Sequence, residues 1–522
     1  MADSSSDLSR PARWGIGVGV GLAVLALSVL TVLRYTVDFL QADGVQQSVM
    51  SIQDVDLFFW GQNRFAAFVS ALASPIANPD ANLFACLLIN AVSFHVFLLL
   101  LAYMGTWLVS GTRSWLATAV TFLALAVTCH LVISPQALHI LSLESQPYSM
   151  SWSLTFGAFL LWKTGRWWWW VLAALCVGAA VGLNQSTILV AAFLALLELA
   201  RRRQWVRWPL FGVVWVGWFV VWAVLASRYG GNAGPVPDAN QDYFSFSLST
   251  FVSEAPRSLA SVLSSFRIPR LAVIAIISAV LLLALTAERR AAFLARGAAA
   301  FAFVAVYWVV FTGNPWVLVN GYALRYFFPT ILFVAVAVAA PAAAVLCALV
   351  TPSAALGRVR VPSGMRPVAV ALAVLLPVVG LGIALRGPLS SPSDAPVLAN
   401  TRATADYARA NQVTFLSGYY WDMWPTLHRA LDDGRHAAFV TAFKSGGDPA
   451  AYKQAFDDEI KAGRTPTALC INETDAFCRT YLDYWTQKGW TATATTCPVP
   501  GNVPQLGNPA ERTCRVMAYS GQ

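Results

Sequence analysis

The sequence is short of charge. Asp, Glu, Lys and Arg make up 12% of its 522 residues, where a soluble domain carries about 25%. That shortfall excludes an ordinary soluble globular chain, and the mean hydropathy of +0.59 agrees. Acids are scarcer than bases, 26 against 35. On a soluble protein the net charge of +9 would suggest nucleic acid. Here the arginines fall mostly in short loops between apolar runs, so no nucleic-acid partner is expected. The polar C-terminal region has no phosphate loop and no nucleotide fingerprint, so it is not read as a second active site. No small-x-small cleavage site follows the first apolar run; Arg34, Tyr35 and Thr36 come next. That run is therefore expected to stay as a membrane span.

What is present is a series of apolar runs near 20 residues, the signature of a polytopic α-helical membrane protein. About eleven transmembrane helices are expected. They fall near 14–33, 83–109, 115–133, a fourth ending at Trp162, 167–183, 186–200, 208–226, 270–286, 297–312, 320–350 and 367–385. The 21 Trp and 30 Phe cluster near run ends, as interfacial belts do; the four tryptophans at 167–170 are the plainest case. A polar region at 34–82 and a longer loop at 227–268 interrupt the runs, the latter with an amphipathic helix near 250–266. Residues 1–385 are read as a transmembrane module and 386–522 as a small extracytoplasmic α/β domain.

Charge sets an orientation. With the N-terminus in the cytoplasm, Arg113, Lys163, Arg166, Arg201, Arg207, Arg289 and Arg358 all fall in inside loops. Asp38, Asp43, Asp54, Asp56, Asp80 and Glu144 then lie outside, as does the C-terminal domain. Of the 8 Cys, Cys86, Cys129, Cys176 and Cys347 lie in expected spans and suit apolar packing. Cys470, Cys478, Cys497 and Cys514 lie in the outer domain, where an even number suggests two disulfides. Short loops favour Cys470–Cys478 and Cys497–Cys514. Their spacing is not CxxC, which argues against zinc.

The most informative stretch is 51–75, SIQDVDLFFWGQNRFAAFVSALASP. Asp54 and Asp56 precede an apolar run, and acids beside a bilayer are costly unless used. A helix over 57–73 would place Phe58, Phe65, Phe68 and Leu72 on one face. Asp56 then either caps that helix or, with Asp54, serves as general base for an attacking hydroxyl. Gln62 and Asn63 offer donors and acceptors that suit sugar hydroxyls. Arg64 either holds a phosphate or anchors the helix among headgroups. Arg325 sits at the outer end of a span, against the charge bias, so an anion is expected beside it: Asp56, a lipid headgroup or a substrate phosphate. Snorkelling is the other account of it. His139 and Glu144, in the outer loop at 134–150, either line a sugar pocket or supply ordinary loop polarity. His95 and His130, within spans, are read as satisfied bundle residues.

These features resemble the GT-C superfamily of membrane glycosyltransferases that use polyprenyl-phosphate-linked sugars. The resemblance rests on the acidic pair Asp54 and Asp56, on FFWGQNRF at 58–65, and on a late span opening with Asn320, Arg325 and Tyr326. Trp424, Pro425 and Thr426 also look like a segment of bacterial members. It covers the organisation of about the first 350 residues. It implies a bacterial plasma-membrane enzyme, inverting, that passes a monosaccharide from a polyprenyl-phosphate donor to an extracytoplasmic glycan or lipid-linked acceptor. It implies a catalytic acid at Asp56, or next at Asp54, where Val55 splits the pair. It implies a phosphate-binding arginine at Arg325. The combined reading adds Tyr326 and Arg64 on the phosphate side, and Gln62, Asn63, His139, Glu144 and Asn320 as sugar contacts. No cofactor follows from it. Some members need a divalent metal, but the outer acids here are too few and too scattered to expect one. A flippase or transporter would show midplane acids and internal repeats, neither of which is clear. A ligase or polymerase of the O-antigen type would not need the acids of the first loop.

Overall fold

The structure is a computed structural model. It describes 10–518 apart from 54, 60–64, 111–113, 145–147, 203–206, 230–244, 284–286, 320, 322, 351–364, 418–419, 432–439, 442–453, 455–456, 459–460, 464–466, 471–485, 487–490 and 496–513.

The chain is mainly helical. After α1 (Arg10–Tyr35) come two short helices, α2 (Ala42–Gln53) and α3 (Phe68–Ala73). Next are α4 (Pro79–Ser110), α5 (Trp115–Val132), the short α6 (Pro135–Leu143), α7 (Tyr148–Lys163), α8 (Trp167–Leu183), α9 (Thr187–Arg202) and α10 (Arg207–Tyr229). Then follow α11 (Leu248–Ser264), α12 (Ile268–Leu283), α13 (Ala287–Thr312), the short α14 (Pro315–Val319), a 3-10 turn at Leu324–Phe327, α15 (Phe328–Val350) and α16 (Arg366–Ala384). Among the described residues seven helices are long and apolar enough to cross a membrane, and α8, α12 and part of α9 are shorter apolar helices. The chain is a multi-pass membrane protein; the expected count of eleven is not established.

Ser114 and Ser134 show why α5 and α6 start where they do. Each side chain accepts a hydrogen bond from the backbone N–H three residues on, and Pro135 opens α6 with its φ already set. Packing of α8 on α10 depends on two glycines. A Cβ at Gly178 would lie 2.7 Å from the Trp218 ring, and one at Gly182 would lie 2.3 Å from Trp222. The close approach lets Trp222 Nε1–H donate to Gly178 O at 2.7 Å. Trp222 in turn packs edge-on against Phe58 and Phe68 of the first loop. Gly182→Val therefore overpacks this contact, and a cost of about 1–3 kcal/mol is expected. The check is a lower thermal midpoint in detergent relative to wild type.

Beyond Ala384 the chain adds α17 (Pro396–Asn400), α18 (Arg402–Ala410) and α19 (Tyr420–Ala430). It also adds strands β1 (Val413–Ser417), β2 (Val440–Thr441), β3 (Thr467–Cys470), β4 (Thr491–Thr495) and β5 (Cys514–Ala518). They form one sheet in the order β2-β1-β3-β5-β4, parallel on the β1 side and antiparallel at β5. α19 packs against α2. His428 Nε2–H donates to Pro79 O at 3.2 Å, and Arg429 lies 3.6 Å from Asp80. Trp424 is fully buried and belongs to this packing.

Cys86, Cys129, Cys176 and Cys347 are free thiols in helices, as packing residues should be. The expected disulfides are not supported by the structure. Cys478 and Cys497 lie outside the described residues, and of Cys470 and Cys514 only the backbone is described, in β3 and β5. His95 and His130 stack at 5.8 Å, with Tyr35 against His130 at 5.7 Å. His95 Nδ1 reaches Ala91 O and Ser28 Oγ, so these rings belong to the bundle interior.

Candidate active site

The stretch at 51–75 folds differently from expectation. No helix spans 57–73; the helix begins only at Phe68. Phe58 and Ala66 instead form an antiparallel bridge, with Phe59 N–H donating to Phe65 O at 2.7 Å. Ala66 N–H donates to Gly182 O at 2.8 Å, which ties the loop to the end of α8. Two aromatic side chains that need burial on Trp222 have won over helical periodicity. Asp56 is exposed and in irregular backbone ahead of this bridge. The helix-cap reading of Asp56 therefore fails. Asp54, Gln62, Asn63, Arg64 and Asn320 lie outside the described residues.

Arg325 is the centre of the described polar geometry. It sits in the 3-10 turn ahead of α15, with its side chain mostly buried. Its Nη1 donates to Asp43 Oδ2 at 2.8 Å and to Glu144 Oε1 at 2.9 Å. The anion expected beside Arg325 is thus not Asp56 but this pair. Snorkelling does not describe it, because the guanidinium is held inward by two carboxylates. Among the described residues its buried Nε has no hydrogen-bond partner, and neither has Glu144 Oε2. Tyr326 is buried, with Arg325 Cζ 5.4 Å from its ring centroid.

Three elements bring these groups together. Asp43 lies in the first turn of α2, where the helix dipole favours an acid. Glu144 ends α6. Asn90 of α4 locks the two helices, its Nδ2 donating to Gln47 Oε1 at 3.1 Å and to Leu143 O at 3.3 Å. Ser70 Oγ donates to Gln47 O at 2.9 Å, which adds the first loop to the same frame. His139 turns away from the cluster: its Nδ1–H donates to Tyr35 O at 3.0 Å. Burial lowers its pKa to about 4, so it is neutral at pH 7.

Burial pushes the Glu144 carboxyl up, to about 7, with Arg325 opposing the rise and Asp43 adding to it. A raised carboxyl pKa means that the folded state holds a proton that the unfolded chain has released above about 4.5. Stability from this group is present in acid and is lost as pH rises toward 7. Replacing Glu144 with Gln is expected to flatten the pH dependence of the thermal midpoint between pH 5 and pH 7. A Gln variant whose midpoint falls with pH as steeply as wild type contradicts the assignment.

Sequence reading missed Asp43 and did not pair Glu144 with Arg325. The available signal was Val45, Val49 and Ile52 at helical spacing behind an acid in the first turn. Among the described residues no group of three or more His, Cys, Asp or Glu gathers to hold a metal.

Two crystal structures share the fold along nearly the whole chain. Both are ArnT from Cupriavidus metallidurans, one bound to undecaprenyl phosphate and one in the apo state. The first is 14% identical with a TM-score of 0.52, the second 13% identical with a TM-score of 0.50. Each covers 97% of this chain and 98% of its own. The chain has the fold of ArnT. The GT-C resemblance drawn from Asp54, Asp56 and Arg325 agrees with ArnT at the level of fold. No protein-family model matches the sequence, and no curated protein does.

Proposed function

We propose that this protein is an integral-membrane glycosyltransferase whose donor is a polyprenyl-phosphate-linked sugar. The observation that carries the reading is the fold, shared end to end with ArnT, which has been crystallised with undecaprenyl phosphate. In the proposed reaction Asp56, or Asp54, takes the proton of an acceptor hydroxyl. That oxygen attacks the anomeric carbon, the bond from carbon to the phosphate oxygen breaks, and polyprenyl phosphate leaves with the electron pair. Attack from the face opposite the phosphate inverts the anomeric centre. Arg325 stays anchored through Nη1, and its unpartnered Nε–H is the donor left for a phosphate oxygen. Tyr326 and Arg64 complete the phosphate side; Gln62, Asn63 and Asn320 contact sugars. His139 is reassigned to holding Tyr35, and Glu144 to holding Arg325. The acceptor is a glycan or lipid-linked saccharide on the extracytoplasmic face, where residues 386–522 form a lid or recognition domain of a bacterial plasma-membrane enzyme.

Binding of the bare lipid phosphate tests this reading. A ligand that binds only the folded state raises its stability by RT ln(1 + [L]/Kd). Undecaprenyl phosphate is expected to raise the thermal midpoint of the detergent-solubilised protein, while a nucleotide-linked sugar is not. A shift with the nucleotide sugar and none with the lipid phosphate contradicts it. The orientation has its own check. If 386–522 lies outside the cytoplasm, non-reducing mass spectrometry is expected to find no free thiol at Cys470, Cys478, Cys497 or Cys514.

A further inference from the structure

The end of the bundle remote from Arg325 contains a site that glycosyl transfer does not use. α7 runs from Tyr148, stacked on Phe328 at 6.1 Å, to Lys163. Its 16 residues cover about 22 Å at 1.5 Å per residue. Beyond that distance, α4, the end of α7 and the turn into α8 enclose a cavity of about 670 Å³. Tyr103, Lys163, Thr164 and Arg166 give its wall polar atoms, while Leu160 and Trp169 give it apolar surface.

The charge around this cavity is unbalanced. Lys163 is neutralised by Glu198 at 2.6 Å. Arg166 is exposed, and among the described residues no acid pairs with it. Arg207 stands behind the turn: its guanidinium bonds Trp162 O, packs over Trp170 at 5.9 Å and would lie 3.7 Å from a Cβ at Gly165. Arg166 is thus the cation of the cavity wall that no described acid offsets. The surroundings are those of a membrane interface. Trp115, Trp167 and Trp168 are exposed there, as headgroup-level rings are. A water-soluble anion has no use for the leucine wall, and a neutral lipid has none for Arg166.

We propose that this cavity binds the headgroup phosphate of an anionic glycerophospholipid, with Arg166 as its charge partner and the Leu160 wall taking the first part of an acyl chain. The occupant is a bilayer lipid of the leaflet opposite the transfer site. The site is independent of the glycosyltransferase reading, because no group in it belongs to the Arg325 cluster.

The test is native mass spectrometry of the full-length protein in detergent, titrated with phosphatidylglycerol or phosphatidylcholine. Phosphatidylglycerol is expected to be retained more strongly, and Arg166→Ala to lower that retention by about five-fold, the effect of one basic residue near anionic lipid. Gly157→Leu is the second variant. Gly157 lines the cavity, and a Cβ there meets nothing within 4 Å, so a side chain at this position starts in open space and extends into the cavity. It is expected to lower phosphatidylglycerol retention as well. Equal retention of the two lipids, or unchanged retention in both variants, overturns the proposal. So does displacement of phosphatidylglycerol by millimolar inorganic phosphate, which marks a site for a free anion.

Discussion

Asp56→Asn is expected to lower glycosyl transfer by about 10²–10⁴-fold, the usual contribution of a positioned general base. The amide keeps the size of the carboxylate and removes its capacity to take a proton. Asp56 is exposed, and a contact made by an exposed carboxylate contributes little stability, so the thermal midpoint should stay near that of wild type. Binding of undecaprenyl phosphate should also persist, because the proposed reaction places Asp56 on the acceptor and not on the phosphate. The structure removes the competing explanation of this acid, since no helix begins beside it for it to cap. Asp54→Asn is the comparison. If Asp54 orients the base or holds sugar hydroxyls, its loss is the smaller of the two; a larger loss at Asp54 exchanges the roles. Full transfer by both single variants and by the double variant removes the first loop from the chemistry.

Arg325→Ala is expected to damage both stability and activity, for separable reasons. The substitution leaves Asp43 and Glu144 buried without their cation. Breaking a buried pair in this way costs about 3–5 kcal/mol. It also removes the donor proposed for the leaving phosphate, about 3–4 kcal/mol of transition-state stabilisation for one good donor. A triple variant, Arg325→Met with Asp43→Asn and Glu144→Gln, separates the two. With no charge left buried, it should regain much of the lost thermal midpoint while transfer stays absent. If the triple variant is as active as wild type, Arg325 has only a structural part. If Arg325→Ala melts at the wild-type temperature, the carboxylate clamp does not hold it as described.

The bundle was largely legible because long apolar runs leave little choice. The run at 115–133 is α5 (Trp115–Val132), and the run at 367–385 is α16 (Arg366–Ala384). The amphipathic segment near 250–266 is α11 (Leu248–Ser264). The first loop was not legible, because its order comes from tertiary contacts. α2 buries Gln46, Gln47, Ser48 and Ser51, residues that read as loop. Gln47 and Ser51 are tolerated inside because Asn90 bonds to the first and Asn82 to the second. Periodicity over 57–73 suggested a helix, but the burial of Phe58 and Phe68 on Trp222 decided the backbone.

At the site, the sequence singled out Arg325 from its position against the charge bias, and it required an anion beside it. Which anion depended on contacts across 282 and 181 residues of chain, to Asp43 and Glu144, and no local pattern encodes those. The contact made by His139 is equally remote in sequence. Its partner is a backbone carbonyl at Tyr35, which a side-chain pattern does not reveal.

The most direct test of the central claim is transfer in reconstituted membranes. Purified protein is supplied with a defined panel of polyprenyl-phosphate monosaccharides and an extract of extracytoplasmic glycans and lipid-linked saccharides, alongside the same sugars as nucleotide diphosphates. The account predicts that sugar moves to an acceptor from a polyprenyl-phosphate donor, with one polyprenyl phosphate released per sugar transferred, and that Asp56→Asn stops it. Transfer from the nucleotide sugars alone, or movement of intact lipid-linked sugar across the bilayer with no bond broken, would contradict it.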